Sequence, residues 1–407
     1  MLSLDEAREV VLAGCTVGHP RAMPLADALG LVTSVDIDAA EAVPPFDNTA
    51  MDGFAVRAAD TSSATPDTPA HLTIVGTLAA GAPPDLTVGP GQAVRIMTGA
   101  PLPVGADAVV MVELTDGGTK SVTVHESPKT GAHIRRRGEV LSTGQPLLPA
   151  GRRLTAGALA LVASHGYGQV PVHRAPRVRT LATGDEVVPP ETTPGPGQLR
   201  DSHTDFLLAA GRSLGLAFEP LGIAPDREAD LDRLVARGLE ADVLLLSGGV
   251  SMGEFDLVEG VLGRLGCTIL FDQVAIQPAK PLVAAVHPGG LVFGLPGNPA
   301  SAMVAFWLFV RPALRRLLGH TDAYWHGALA AELDAPLPGA KGRDRFLPAE
   351  VEIRSGRLLA TPVAPVGSHD QATYAKGSAL VRIPAHSSPA PTGSPCEILP
   401  LVDWRLP

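Results

Sequence analysis

The residues best suited to chemistry lie in a glycine- and serine-rich segment in the second half of the chain. The segment follows an all-apolar run at 243–246 and offers hydroxyls and unhindered backbone N–H groups from Ser247, Gly248, Gly249 and Ser251. Such a turn favours an anion, and phosphate most of all. Glu254 and Asp256 would repel a bare phosphate, so they indicate a divalent cation that bridges to it. By itself the segment also fits a tight turn followed by a helix cap.

Three other loops follow predicted strands and supply further polar groups. They begin at Thr183, Pro225 and Leu295, and they contain Glu186, Asp226, Pro296, Gly297, Asn298 and Ser301. In open α/β sheets, ligands bind at the carboxyl ends of the strands. Four such loops on one sheet edge therefore predict a pocket for a nucleotide or another phosphate ligand.

The carboxylates of these loops predict a metal ion. Glu186, Asp226 and Asp256 would hold magnesium, which keeps several waters and uses few protein ligands. For Asp226 the alternative is a helix cap that binds no ligand. Lys280 precedes an apolar strand and is a candidate anion partner, and a surface lysine fits the same pattern.

Two segments in the first half of the chain also carry candidate residues. Pro44–Val56 contains Asp52 and has the Asp-Asn and Asp-Gly pairs that are typical of a shaped loop. Arg95–Pro101 looks like a strand end that presents the hydroxyl of Thr98. The basic cluster 135–137, which ends in Arg137, is either a local anion site or a solvated strand end.

The elements that position these residues change character along the chain. Ser3 to Glu6 predict a capping box for a helix that reaches about Ala13. From Asp36, short alternating segments rich in Gly and Pro predict a small β-rich region. Strands and helices then alternate from Val178, with Asp226 as a helix cap and 299–317 as one long helix, which indicates a parallel sheet covered on both faces. After 319 the pattern predicts a final small β domain.

Composition limits the class of protein. The chain has 407 residues, of which 45% are hydrophobic and 18% charged, so we expect two to four well-buried domains. A net charge of −10 speaks against general nucleic-acid binding. No apolar run approaches the length of about 18 residues that a membrane span needs, and the N-terminus resembles no signal peptide, so we expect a cytoplasmic protein. Three widely spaced cysteines fit reduced core residues.

Five segments together resemble the signatures of the molybdopterin molybdotransferases, the family of MoeA and the gephyrin E domain. In chain order they are Pro45–Val56, Arg95–Pro101, Ile134–Glu139, Ser247–Ser251 and Leu295–Pro299. The resemblance implies a multidomain α/β plus β fold, with a central parallel α/β domain similar to molybdopterin adenylyltransferases. The implied domains are I (1–45 and 140–173, linker and dimerisation), II (46–139, a β-rich insertion), III (174–320, molybdopterin-binding) and IV (321–407, a C-terminal β-barrel).

The family's activity implies roles for the candidate residues. Adenylylated molybdopterin and molybdate, with magnesium, would yield molybdenum cofactor and AMP. Each site would be shared between the subunits of a homodimer, and molybdopterin adenylyltransferase would be a transient partner. Asp52, Glu186 and Asp256 would be catalytic, and Lys280, Arg343 and Ser368 would bind molybdate. Substrate would be bound by Thr98, Arg137, Asp226, Ser247, Gly248, Gly249, Ser251, Lys280, Pro296, Gly297, Asn298 and Ser301.

The chain departs from the family pattern at three positions. Val140 stands where the family usually has Asp, and His203 stands where it has Asn. Gln277 replaces a Lys of some members, which removes a positive charge near the expected molybdate site. Two alternative functions remain: a molybdopterin adenylyltransferase, for which the N-terminal 170 residues and the β tail would be superfluous, and a non-catalytic scaffold, for which a long linker and a second adenylyltransferase domain are missing.

Overall fold

The structure, a computed structural model, describes residues 1–248, 257–321 and 328–401. The chain divides into two compact units. Unit 1 contains Met1–Val35, Gly151–Thr155 and the chain from Gln169 onward, and unit 2 contains Asp36–Ala150 and Ala156–Gly168. Among the described residues, no helix is both long and apolar enough to cross a membrane. The three cysteines are free, as the sequence predicts.

The α-helices of the described residues are α1 (Leu4–Ala13), α2 (Ala156–Ser164), α3 (His203–Ser213), α4 (Glu228–Gly238), α5 (Leu257–Arg264), α6 (Pro299–Ala305), α7 (Arg311–Leu317) and α8 (Gln371–Lys376). The first half of the chain forms the strands β1 (Pro20–Pro24), β2 (Ile37–Asp38), β3 (Asn48–Thr49), β4 (Gly53–Val56), β5 (Ala70–Leu78), β6 (Gln92–Ile96), β7 (Ala108–Met111), β8 (Ser121–Val124), β9 (Ile134–Arg135), β10 (Pro146–Leu148), β11 (Gln169–His173) and β12 (Val178–Thr183).

The second half forms β13 (Val187–Val188), β14 (Leu199–Arg200), β15 (Phe218–Ala224), β16 (Val243–Ser247), β17 (Thr268–Gln273), β18 (Ile276–Gln277), β19 (Pro281–His287), β20 (Gly290–Leu295), β21 (Leu329–Leu333), β22 (Asp344–Arg354), β23 (Arg357–Pro362), β24 (Ala379–Ile383) and β25 (Pro395–Pro400). The capping box before α1 is confirmed, because Ser3 and Glu6 bond each other's backbone N–H groups.

Unit 1 is built around a six-stranded sheet in the order β15-β12-β16-β20-β19-β17. The first four strands are parallel, as predicted, and β16 is buried on both faces. Leu244 and Leu246 pack with α4 and α5, whereas Val243 and Leu245 pack with the cluster that contains α1, α6 and α7. This double burial explains why the run 243–246 is wholly apolar.

Three details of this α/β part differ from the sequence predictions. β19 and β20 run antiparallel, since only two residues separate them and a short turn joins only antiparallel strands. The expected helix 299–317 contains a π-helical turn at Phe306–Val310, just before Pro312, which lacks a backbone donor. The N-cap of α4 is Arg227 instead of Asp226, because Asp226 is engaged with a neighbouring loop.

The C-terminal part of unit 1 is a closed β-barrel. Strands β22, β23, β21, β25 and β24 pair with one another in this order, and β22 pairs again with β24, which closes the ring. The short strand β18 also pairs with β22. Residues of the barrel and of α8, including Phe346 and Tyr374, share one core cluster with Phe306 and Trp307 of the α/β part. This shared core brings the barrel against the loop that opens α6.

Unit 2 is a small β-rich body around a five-stranded sheet in the order β7-β4-β6-β5-β8. Its core contains Phe54 and Val56, both fully buried in one cluster of mostly small apolar side chains. The short pair β3 and β9 joins Asn48–Thr49 to Ile134–Arg135. Because of this pairing, the loop after β3 and the basic cluster after β9 lie on the same body.

Candidate functional site

Four loops of unit 1 meet at one edge of its sheet. The parallel strands β12, β15, β16 and β20 end there, and the loops that follow them are the four that the sequence singles out. The Gly248 N–H donates to Leu295 O at 3.2 Å. A Cβ on Gly248 would lie 2.6 Å from Thr183 O, and one on Gly297 would lie 3.9 Å from the Gly248 Cα. These close approaches bring three of the loops together.

Two acidic residues of this edge, Asp185 and Asp226, are joined by hydrogen bonds from the backbone N–H of each to the carboxylate of the other. The Asp226 N–H donates to Asp185 Oδ1 at 3.2 Å, and the Asp185 N–H donates to Asp226 Oδ2 at 3.4 Å. Glu186 and Asp226 are exposed, so their carboxylates face solvent. Within the described ranges, no three His, Cys, Asp or Glu side chains form a metal-binding group. Three predicted residues, Gly249, Ser251 and Asp256, lie outside the described residues.

A cavity of about 580 Å³ adjoins the acidic loops. Asp185, Asp201 and Asp205 line it together with apolar residues such as Ile223. Asp201 is committed to the start of α3, where it accepts hydrogen bonds from the backbone N–H groups of His203 and Thr204. Burial lowers the pKa of the neighbouring His203.

Six of the predicted residues line a second cavity, of about 440 Å³, between the α/β part and the barrel. They come from four separate segments of the chain, and they are Lys280, Pro296, Asn298, Ser301, Arg343 and Ser368. The structure thus brings together all three residues expected to bind molybdate. Asn298 occupies the N-cap position of α6, as predicted, but makes no side-chain capping bond within the helix and faces the cavity.

The charged side chains among the described lining residues of this cavity are all positive. Lys280 and Arg343 line it, and so does Arg345, which sequence reasoning missed. Of the described residues that line the cavity, none is acidic, and within the described chain none of the three cations has an ion-pair partner. Two of them, Arg343 and Arg345, are half-buried. Cations with neither an acid nor full exposure to water indicate an anion site.

The walls of this cationic cavity are anchored by backbone contacts. The Ala300 N–H at the start of α6 donates to Ser368 O at 3.2 Å, which fixes the loop that carries Ser368. Asp370 then caps α8, and hydrogen bonds from Thr373 and Val366 hold the pKa of its carboxyl below the usual range. Tyr374 donates to Phe346 O at 3.1 Å, and burial raises the pKa of its phenol.

In unit 2, Asp52 and Thr98 are joined by two hydrogen bonds. Both the backbone N–H and the hydroxyl of Thr98 donate to Asp52 Oδ1, at 2.6 and 2.7 Å. These two bonds lower the pKa of the exposed Asp52 carboxyl, with the backbone donor as the larger cause. The arrangement keeps Asp52 ionised and leaves its second oxygen available.

One arginine of the basic cluster of unit 2, Arg136, is paired through its side chain. Asp47 accepts a hydrogen bond from the Arg136 guanidinium at 2.7 Å and another from the Arg137 N–H at 2.8 Å, and these contacts lower the pKa of Asp47. Arg137 is exposed and uses its backbone, whereas Arg136 uses its side chain. The sequence did not distinguish these two neighbours, because only the β3–β9 pairing sets which one reaches Asp47.

Comparison with known families covers nearly the whole chain. Residues 2–166 match the MoeA N-terminal region (domain I and II), 179–316 match a probable molybdopterin-binding domain, and 330–401 match the MoeA C-terminal region (domain IV). These matches and the fold of unit 1 define a multidomain protein with an α/β domain of the probable molybdopterin-binding type.

Individual relatives agree with this class. The chain is 38% identical to molybdopterin molybdenumtransferase 2 of Mycobacterium tuberculosis over 94% of its own length and 96% of the relative. It is 36% identical to the molybdopterin molybdenumtransferase of Bacillus subtilis, over 98% and 94%. The molybdopterin biosynthesis MoeA protein of Pyrococcus horikosii superposes with a TM-score of 0.86 at 32% identity, over 99% and 100%. The chain belongs to the molybdopterin molybdenumtransferase family, a family of transferases in molybdenum cofactor biosynthesis.

Proposed function

We propose that this chain inserts molybdate into adenylylated molybdopterin and releases AMP. The observation that carries the proposal is the cationic cavity, in which Lys280 and Arg343 face one volume without an acidic neighbour among its described lining residues. A tetrahedral dianion satisfies such a set, because each cation–anion contact at about 4 Å is worth roughly 4 kcal/mol per charge pair at an effective dielectric constant near 20. The hydroxyls of Ser301 and Ser368 complete the lining with donors.

The turn at the end of β16 supports binding of the organophosphate. Gly248 adopts φ +93, so the backbone there turns sharply beside the loop at Gly297. The Gly248 N–H itself donates to Leu295 O, so in our proposal other N–H groups of this edge hold the phosphates of the adenylylated pterin. The adjoining 580 Å³ cavity supplies apolar walls and carboxylates, which suit a flat heterocycle with ring N–H donors.

Magnesium fits the acidic loops of the same edge. The oxygen atoms of Glu186 and Asp226 are exposed carboxylate donors, the ligand type that magnesium prefers. We propose that these two residues hold the ion together with Asp256, which lies outside the described residues. When bound, magnesium offsets negative charge on the phosphoanhydride that is cleaved. The mutual backbone bonds of Asp185 and Asp226 hold the two loops at a fixed separation.

The test is a defined reaction with the purified full chain, adenylylated molybdopterin, molybdate and magnesium. We expect AMP and molybdenum cofactor in equal amounts, measured by chromatography and by reconstitution of a cofactor-free molybdoenzyme. Formation of adenylylated molybdopterin from ATP would instead identify an adenylyltransferase. Failure to release AMP with all three components present would contradict the proposal.

We also propose that two copies of the chain act together and that each site uses Asp52 and Thr98. The support is the family membership and the prepared Asp52–Thr98 pair. Co-expression of an Asp52→Ala chain with an Arg343→Ala chain tests it, since mixed dimers with shared sites regain a fraction of activity that neither variant has alone. Absence of any recovery in verified mixed dimers would sink the shared site.

A further inference from the structure

We propose that Arg345 is a third anion-binding residue of the cationic cavity and makes it selective for a doubly charged tetrahedral oxyanion. The inference rests on the proposed function, because it assumes that the cavity binds such an anion. It adds a residue and a physical basis for selection by charge. Four structural observations carry it: the place of Arg345 in the sheet, the engagement of the nearby acids, its unpaired state and its partial burial.

The strand pairing places Arg345 beside the neutral Gln277. In the short parallel pair of β18 and β22, Gln277 is the direct partner of Arg345, and both line the cavity. Directly paired residues of neighbouring strands project on the same side of a sheet. A positive charge at either position therefore reaches the same part of the cavity, and in this chain Arg345 supplies it.

The acidic residue next to Arg345 in sequence does not neutralise it. Asp344 points to the opposite face of β22, since side chains alternate along a strand. Its carboxylate accepts hydrogen bonds from Arg382 Nε at 2.9 Å and from the Ala385 N–H at 2.8 Å, and Asp344 is only 9% exposed. The Asp344 carboxylate is thus engaged on the opposite side of the strand from Arg345.

A second acid close to this wall is also engaged. Asp370 and Arg345 both act electrostatically on Tyr374, which places all three in one neighbourhood. The Asp370 carboxylate accepts from the Thr373 N–H and hydroxyl, at 3.1 and 2.7 Å, and from the Val366 N–H at 3.1 Å. Among the described residues Arg345 therefore has no acidic partner, and its guanidinium is available to a ligand.

The backbone of Arg345 is held from both sides. β22 pairs with β18 through Gln277 and with β24 through Ile383. Arg345 as a whole is half-buried on a strand with two neighbours, so its side chain has fewer alternative positions and loses less freedom when it binds an anion. This fixed geometry distinguishes Arg345 from an exposed surface arginine.

The experiment compares two tetrahedral anions of similar size, molybdate with two charges and perrhenate with one, by calorimetric titration of the full chain at neutral pH. For Arg345→Gln we expect the Kd for molybdate to rise about 10- to 100-fold, the effect of removing a charged donor. Because the Coulomb energy scales with ligand charge, the Kd for perrhenate should rise only by about the square root of that factor, roughly 3- to 10-fold.

Rescue provides a readout that a structural role would not change. Arg345→Lys should keep molybdate affinity within about fivefold of the wild type, since the charge remains. Gln277→Lys in the Arg345→Gln background should restore most of the lost affinity from the paired position. The matched control is Arg357→Gln, an exposed barrel arginine paired with Glu332, which should leave both affinities unchanged.

The possible outcomes separate the role of Arg345 from the proposed function. Equal losses for molybdate and perrhenate, or no loss in Arg345→Gln while Arg343→Ala abolishes binding, would overturn the role of Arg345 and leave the proposed function standing. A wild-type chain that binds no molybdate would overturn both. Charge-dependent loss with rescue by Gln277→Lys supports the proposal, and unchanged thermal unfolding of the variants separates it from misfolding.

Discussion

The acidic groups in the charged loops of unit 2 are hydrogen-bonded within the protein, whereas the cations of the cavity in unit 1 have no acidic partner among the described residues. In unit 2, Asp47 is bonded to Arg136 and to the Arg137 N–H, and Asp52 is bonded twice to Thr98. In the cavity, three cations face one volume and have no ion-pair partner in the described chain. The first arrangement shapes a loop, whereas the second leaves charge for a ligand to neutralise.

The difference has an energetic consequence. Removing one member of a bonded pair leaves the other unsatisfied, so it costs stability. Removing an unpaired cation from a cluster of like charges costs little stability, and it takes away ligand binding instead. The two regions should therefore respond differently to the same kind of substitution.

The largest effect is expected from Arg343→Ala. With one of the cations of the cavity lost, kcat/KM for molybdate should fall about 100-fold, while the free energy of unfolding stays within about 0.5 kcal/mol of the wild type. Steady-state kinetics and denaturant unfolding measure the two quantities. The control is Arg174→Ala, a paired arginine of unit 1 outside the cavity, which breaks two bonds to Asp242 at 2.9 and 3.0 Å.

For Arg174→Ala we expect the reverse pattern. Stability should fall by about 1 kcal/mol, because Arg174 is half-exposed and Asp242 keeps its bond to the Arg177 N–H, and the KM for molybdate should not change. If Arg343→Ala proved the more destabilising variant, the distinction between paired and ligand-directed charges would be wrong.

A smaller effect is expected at the turn that joins the loops of unit 1. Gly248→Ala combines a positive φ of +93 with a Cβ 2.6 Å from Thr183 O, so it should destabilise the fold by about 1–3 kcal/mol and weaken substrate binding. Urea unfolding measures this cost. Gly297→Ala is the matched control, because its Cβ would make only an ordinary contact at 3.9 Å and should cost about 0.5 kcal/mol or less.

The smallest effect concerns the titration of Asp52. Thr98→Val removes the hydroxyl donor and keeps the backbone N–H, which is the larger cause of the lowered pKa. The Asp52 pKa should therefore rise only part of the way toward its ordinary value. Carbon-detected NMR titration measures it, and Asp116, whose pKa is lowered by Thr123, should not shift.

The sign of the pH dependence follows from this lowered pKa. The ionised Asp52 contributes stability that is fully present above the unfolded-state pKa of about 4 and is lost as the pH falls through the folded-state value. In Thr98→Val this contribution is smaller and disappears at a higher pH. An unchanged acid-unfolding profile together with an unchanged Asp52 pKa would show that the hydroxyl does not hold the carboxylate.

Local signals in the sequence were sufficient for much of this description. The apolar run at 243–246 predicted a doubly buried strand, and the capping box at Ser3 predicted the start of α1, because both depend on neighbours close in sequence. Parallel strands share an edge, so the four loops were expected together. Lys280, Arg343 and Ser368 were grouped through the family resemblance, and the structure places them in one cavity.

Contacts between distant segments required the tertiary structure. Asp226 looks like a helix cap in the sequence, but its bonds to Asp185 across two loops leave that position to Arg227. Asp344 and Arg345 are neighbours in the sequence, yet strand alternation sends one to Arg382 and the other into the cavity. The closure of the barrel and the pairing of Gln277 with Arg345 join residues far apart in the chain, and no local periodicity encodes which strands will pair.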